Sequence, residues 1–178
     1  MNAARVYQPH YTYEDYLHWE GKWEIIDGMV YAMAPAPMPI HQNISANIAA
    51  ELRTALRECE SCRAYLPVDW KISEDTIVQP DNLVLCYPPK NSYITKAPAL
   101  IFEVLSPSTA QKDEHLKFEI YEREGVLYYV IVNPKDRMAR VYRLQDGRYV
   151  KALDAIDEIF QFNLKACEIS FDFSRIWE

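Results

Sequence analysis

Leu100-Ile101-Phe102-Glu103-Val104-Leu105 is a run in which every residue except Glu103 is apolar, with no alternation between faces. A strand apolar on both sides is one buried between two layers, so the chain reads as an α/β protein. Glu103 interrupts that run. A buried carboxylate without a partner costs several kcal/mol, so Glu103 calls for a cation or a proton. Directly after the run, Ser108 and Gln111 have the spacing of a capping box. They start a helix expected to reach about Glu124, where Gly125 suits the position just past its end.

The stretch before the run supplies a second acid. Pro80-Asp81 opens the preceding apolar segment. If that segment pairs antiparallel with Leu100–Leu105, Asp81 comes beside Glu103 at one end of the sheet. Two such carboxylates repel unless a proton or a metal lies between them, and hard oxygen ligands with room for water suit Mg2+ or Mn2+. The helix that follows adds a base. At 100° per residue Leu116 and Ile120 mark one side of its inner face and Phe118 lies beyond the other. Asp113, Lys117 and Tyr121 then fall inside the inward arc, and His115, Glu119, Glu122 and Arg123 outside it. A lysine facing the core needs acidic neighbours, and Asp81 and Glu103 are the available ones.

Further outward, Thr12 to Trp19 reads as a short helix with Thr12 and Glu14 as its cap. Trp23–Ile26 and Met29–Ala32 flank Asp27-Gly28, a strong hairpin signal. The segment from Pro35 to Pro39 breaks the chain. Ile44, Ile48, Leu52 and Leu56 recur every four residues and predict a helix over about 40–58, with His41 on the same face at its start. Strands are expected over 64–71, 78–86, 99–105 and 127–132. A hairpin of 137–144 with 148–152 follows, and another short strand lies near the end. The order gives a mixed β-sheet flanked by helices with an N-terminal hairpin, in a single domain over residues 1–178.

Composition limits the function. The net charge of −7 disfavours strong sequence-independent binding of nucleic acid, although an acidic metal site contributes to that charge and bound cations offset it. No apolar run is long enough to cross a bilayer, and the N-terminal residues carry no apolar secretory core, so a cytoplasmic protein is expected. Cys59 and Cys62 form one C-x-x-C, but neither a second pair nor H-x-x-H accompanies it. The four cysteines, with Cys86 and Cys167, therefore read as incidental reduced thiols rather than a zinc site.

The hairpin motif around Glu24, the His41 helix, Pro80-Asp81, Glu103-Val104-Leu105-Ser106-Pro107-Ser108-Thr109, Asp113-x-x-x-Lys117-x-x-x-Tyr121 and the Gly125 segment fall in one order from about Tyr11 to Leu144. In that order they resemble the Uma-type family of the PD-(D/E)XK nuclease superfamily. The resemblance implies a restriction-endonuclease-like core that cleaves DNA phosphodiesters with Mg2+ or Mn2+. It assigns the metal to Asp81 and Glu103 and catalysis to both with Lys117. The lysine usual two positions after the second acid is Leu105 here, and Lys117 replaces it from the helix. Glu24, His41, Asp113 and Tyr121 are expected in support, and relatives that cut both strands imply a homodimer. The competing expectation is an inactive nuclease-fold module that binds nucleic acid or a protein partner.

Overall fold

Thr12 N donates to Asp15 Oδ2 at 2.8 Å and opens α1, Tyr13–Tyr16, in the computed structural model, which describes residues 8–33 and 38–178. The cap acid is Asp15 rather than the expected Glu14, because the residue that reaches back to an N-cap is the one three positions on. Most of the Pro35–Pro39 break and most of the N-terminal stretch lie outside the described residues. The hairpin is as expected: β1, Trp23–Ile26, pairs antiparallel with β2, Met29–Ala32. Asp27 and Gly28 both take positive φ, 50° and 77°, as a two-residue primed turn demands. Gly28 is also sterically required, since a Cβ there would lie 2.2 Å from the His10 ring.

Helix α2 spans Pro39–Ala55 with proline in its first turn, where its missing N–H costs nothing. The two long strands expected next are each split. Residues 64–71 give β3, Arg63–Tyr65, and β4, Trp70–Ser73; residues 78–86 give the end of β5, Thr76–Val78, and then β6, Asn82–Leu85. The breaks fall at Pro67 and Pro80, which have no N–H to continue a ladder. At both breaks the chain passes between sheets.

After β6 come β7, Leu100–Val104, a π-helical turn over Lys112–Leu116, α3, Lys117–Glu124, and β8, Tyr128–Asn133. The second hairpin is β9, Met138–Gln145, with β10, Arg148–Ala155, and a third is β11, Ile159–Asn163, with β12, Glu168–Asp172. A 3₁₀ turn, Phe173–Trp177, follows. The larger sheet has six strands in the order β10-β9-β8-β7-β6-β3 and is mixed, with only β7 and β8 parallel. The second sheet, β2-β1-β5-β4, holds the N-terminal hairpin.

Alternation along β7 divides the core. Leu100, Phe102 and Val104 pack with Ile44, Ile48 and Leu52 of α2 and with Phe162, Phe171 and Phe173. Ile101 and Leu105 face the other way, into a layer with Ile120, Tyr121, Tyr129 and Trp70. Glu103 shares the parity of Ile101 and Leu105, so it points toward α3.

Two sequence expectations are corrected. Leu116, expected on the inner face, is 37% exposed, because the π turn adds a residue to its helical repeat and rotates the preceding side chains out of phase with α3. The cysteines are not incidental. Cys59 pairs with Cys167 and Cys62 with Cys86, so the fold gathers four thiols that sequence spacing left apart. No helix among the described residues is long and apolar enough to cross a membrane.

Candidate active site

Asp81 and Glu103 meet because β6 and β7 are antiparallel. Asn82 faces Phe102 in the ladder, and one step outward in the same register sets Asp81 opposite Glu103. The Asp81 carboxylate is fixed through one oxygen: Oδ2 accepts from Val104 N at 2.8 Å and lies 3.2 Å from His41 Nε2. Glu103 is likewise held through one oxygen, Oε1, which accepts from Lys117 Nζ at 2.9 Å and from the Tyr121 hydroxyl at 2.8 Å. Among the described residues no hydrogen bond is made to Asp81 Oδ1 or Glu103 Oε2. Both residues line a cavity of about 350 Å3 that Lys117, Lys112, Asp113 and His41 also line.

Lys117 is almost fully buried and stands among three acids. Its Nζ is 2.8 Å from Glu24 Oε1, 2.9 Å from Glu103 Oε1 and 3.5 Å from Asp113 Oδ1. Glu24 is completely buried and also accepts from Gln79 N at 2.8 Å and from Lys112 Nζ. The inward arc of Asp113, Lys117 and Tyr121 is therefore as the helical wheel predicts, and all three are buried. Tyr121 is held in place by Trp70, whose ring stacks on it at 5.8 Å. Tyr129 donates its hydroxyl to the Asp113 carbonyl at 2.8 Å and pins the π turn to β8.

These contacts set the charges. Burial pushes the Glu24 carboxyl up, but Lys117 and Lys112 outweigh it and hold it below the ordinary carboxylate range. Burial lifts Glu103 well above that range despite Lys117, and the charges of Asp81, Asp113 and Glu24 lift it further. Asp113 is raised by burial in the same way. Burial also works against the charged form of Lys117, yet Glu103, Glu24 and Asp113 keep its ammonium protonated far above the usual lysine range. Glu24 is the nearest counter-charge of Lys117, and the Glu103 carboxyl is shifted toward its neutral form by burial. At the cavity mouth the hydrogen bond between them raises His41, and against the pull of burial it lowers Asp81.

The donor set fits one divalent ion. Asp81 and Glu103 each leave one oxygen without a protein partner, and Asp113 Oδ1 is buried without a hydrogen bond. The acids Glu24, Asp81, Glu103 and Asp113 outnumber Lys112 and Lys117, so the site has excess negative charge to offer. Two carboxylates plus water are what Mg2+ ordinarily takes from a protein. Among the described residues, the sulfurs of Cys59, Cys62 and Cys167 also gather within 4.8 Å of one another.

Every residue expected at the site lies there. Sequence reasoning missed Lys112 and Gln79. Lys112 joins Lys117 on Glu24 because the π turn between them closes i to i+5, which brings residues five apart to one face. A wheel of constant 100° conceals that. Leu105, in the place of the usual lysine, is buried among Trp70 and Ile131, so Lys117 is the base that occupies the site.

The sequence profile of the Uma2 family, described as "Putative restriction endonuclease", matches residues 13–157. An uncharacterised protein of Synechocystis is 30% identical over 147 residues, 78% of this chain and 76% of that protein. The crystal structure of "a putative nuclease belonging to DUF820" from Anabaena variabilis superposes with a TM-score of 0.75 at 18% identity. It covers 93% of this chain and 97% of its own, and at that identity it speaks for the fold.

Proposed function

The chain belongs to the Uma2 family, and on that premise we propose that it is a divalent-metal-dependent endonuclease that hydrolyses phosphodiester bonds of DNA. The observation that carries this reading is the half-saturation of Asp81 and Glu103, each held by the protein through one oxygen while the other is left for a cation. Asp81 and Glu103 would hold Mg2+ or Mn2+. The bound ion would polarise the scissile phosphate and lower the pKa of a coordinated water.

The protein's own groups do the rest. Lys117 keeps its ammonium protonated inside the carboxylate cluster and is placed to donate to an attacking water or to charge that develops on the phosphate. Tyr121 shares Glu103 Oε1 with Lys117 and so fixes which oxygen remains for the metal. His41 does the same for Asp81. Lys112 lines the cavity with its ammonium bonded to Glu24, and can offer a further N–H to an approaching phosphate. The ion would also offset the excess negative charge of the cavity, which a substrate polyanion would otherwise meet on a protein of net charge −7.

A DNA substrate supports a cytoplasmic location, and cutting of both strands would favour a homodimer with two such sites. The test of activity is plasmid and single-stranded DNA incubated with Mn2+. Nicking by the wild type and none by Asp81→Ala is expected. Equal nicking by both would trace the cleavage to a contaminant, and DNA binding without cutting would make the protein an inactive module. A monomeric mass by light scattering at high concentration would remove the dimer.

A further inference from the structure

Four sulfurs converge on the side of the larger sheet away from the acidic cavity. Cys59 and Cys62 follow the end of α2, Cys86 follows β6, and Cys167 sits in the turn between β11 and β12. The pairs are Cys59 with Cys167 and Cys62 with Cys86, and the two pairs touch, with Cys62 Sγ 3.6 Å from Cys167 Sγ. Cys62 and Cys86 stand opposite one another because they extend the β3–β6 ladder by one step beyond Arg63 and Leu85. Two isolated disulfides need no such contact.

We propose that Cys59, Cys62, Cys86 and Cys167 form a four-sulfur site that in its reduced form binds one Zn2+ ion, the two disulfides being its oxidised, metal-free form. Zinc–sulfur bonds of about 2.3 Å in a tetrahedron set neighbouring sulfurs about 3.8 Å apart. The contact between the pairs is already close to that edge, and the sulfurs of Cys59, Cys62 and Cys167 lie within 4.8 Å of one another. Cys86, bonded to Cys62 but outside that close group of three, would supply the fourth ligand once its disulfide opens. The C-x-x-C of Cys59 and Cys62 has ligand spacing common in structural zinc sites, and sulfur-only tetrahedral sets select zinc over the hard cations of the acidic cavity.

Arg63 supports the same reading. Its Nη1 donates to the carbonyls of Cys59, Glu60 and Cys62 at 3.0, 2.9 and 2.8 Å. This closes the C-x-x-C turn around one side chain and brings a fixed positive charge beside it. Four thiolates around one zinc carry two net negative charges, which a neighbouring guanidinium offsets. Cys59 and Cys62 are buried while Cys86 and Cys167 are partly exposed, so an ion has a route in.

The interconversion balances. A dithiol reductant such as thioredoxin delivers two electrons and two protons to each disulfide, giving four thiols and leaving the reductant oxidised. Binding of Zn2+ then releases the four thiol protons. The compartment argument rests in part on the proposed DNA substrate, since a DNA-cutting enzyme works where thiols are kept reduced and grouped cysteines are more often metal ligands than disulfides.

The whole protein, purified under a phosphine reductant, is analysed for metal by mass spectrometry and titrated with Co2+ after zinc removal. About one zinc per chain is expected. Co2+ should give the sulfur charge-transfer and intense d–d absorption of a tetrahedral thiolate site. Cys167→Ser should lose most of the zinc, and Glu103→Ala should retain it, which separates this site from the catalytic one. Failure of DNA cleavage with zinc retained would sink the nuclease reading alone. Four freely titrating thiols in folded, metal-free protein supplied with zinc would overturn the proposal, as would disulfides that persist through reduction. The Co2+ titration uses wild type and holds even if Cys167→Ser does not fold.

Discussion

The Lys117 ammonium lies 2.9 Å from Glu103 Oε1 although it comes from the helix after that strand, fourteen residues on. A lysine two places after Glu103 would reach the site from the same strand, as side chains two apart share a face. Here that place is Leu105, packed into the apolar layer, and the base is delivered instead by α3. The positive charge beside Glu103 thus comes from the helix and not from its own strand.

Removing that base should be costly twice. Lys117→Ala takes the shared cation from Glu103 and leaves buried Glu24 with Lys112 alone, a loss of up to about 3–5 kcal/mol by analogy with broken buried ion pairs. Urea denaturation at neutral pH measures it. DNA nicking should disappear even in added Mn2+, whereas the ion should restore part of the stability, since it can neutralise the carboxylates without supplying the ammonium.

The pH dependence of the metal-free protein follows from Glu103. Its carboxyl titrates well above its ordinary value of 4.5 in the folded chain, so the folded state binds the extra proton. That contribution is fully present below the unfolded carboxyl range and is lost as pH rises through the elevated folded value. Because Mn2+ competes with this proton, the gap in melting temperature between Mn2+ and chelator should widen as pH rises. A gap that is flat or that shrinks over pH 5–8 would contradict the assignment of Glu103 to the metal.

In the proposed site His41 positions Asp81 rather than binding the ion. His41→Ala leaves Asp81 Oδ2 with the Val104 N–H as its hydrogen-bond partner, and metal affinity should drop by about 10–100-fold, the usual effect of removing a partner behind a metal ligand. Isothermal titration with Mn2+ reads this directly. The fold should survive, because His41 is partly exposed at the start of α2.

Asn82 tests the seam between α2 and β6. It accepts from Ser45 Oγ at 2.9 Å and donates to the Ser45 carbonyl at 3.2 Å, all buried. Asn82→Ala leaves the buried Ser45 hydroxyl without its acceptor and takes the second partner from the Ser45 carbonyl, and should destabilise by about 1–3 kcal/mol. Asn82→Ala with Ser45→Ala should recover part of that loss in chemical denaturation.

How much of this was legible depended on whether the signal was local. Glu103 in an apolar run, Asp27-Gly28 between strands and the four-residue spacing of Ile44, Ile48 and Leu52 are local patterns, and each gave the right element. The passages at Pro67 and Pro80 were hidden, because a strand that leaves one buried sheet for another keeps its apolar composition. Only the prolines mark the change. The π turn has no local sequence signature, so Leu116 was turned inward and Lys112 overlooked. The cysteines were misread for a related reason: the distance between Cys62 and Cys86 is a property of strand pairing, and no spacing rule contains it.

The crossing at Pro80 has a consequence for when the enzyme can act. Glu24 belongs to the four-stranded sheet and Glu103 to the six-stranded one, with Asp81 at the passage from β5 to β6, one of those that join them. Lys117 bridges the two by bonding Glu24 and Glu103 at once. A chain still emerging, or one whose hairpin has frayed, therefore has its acids on separate pieces and no competent centre. The proposed cleavage would then belong to the assembled molecule alone, since only there do Glu24, Asp81, Glu103 and Lys117 stand together.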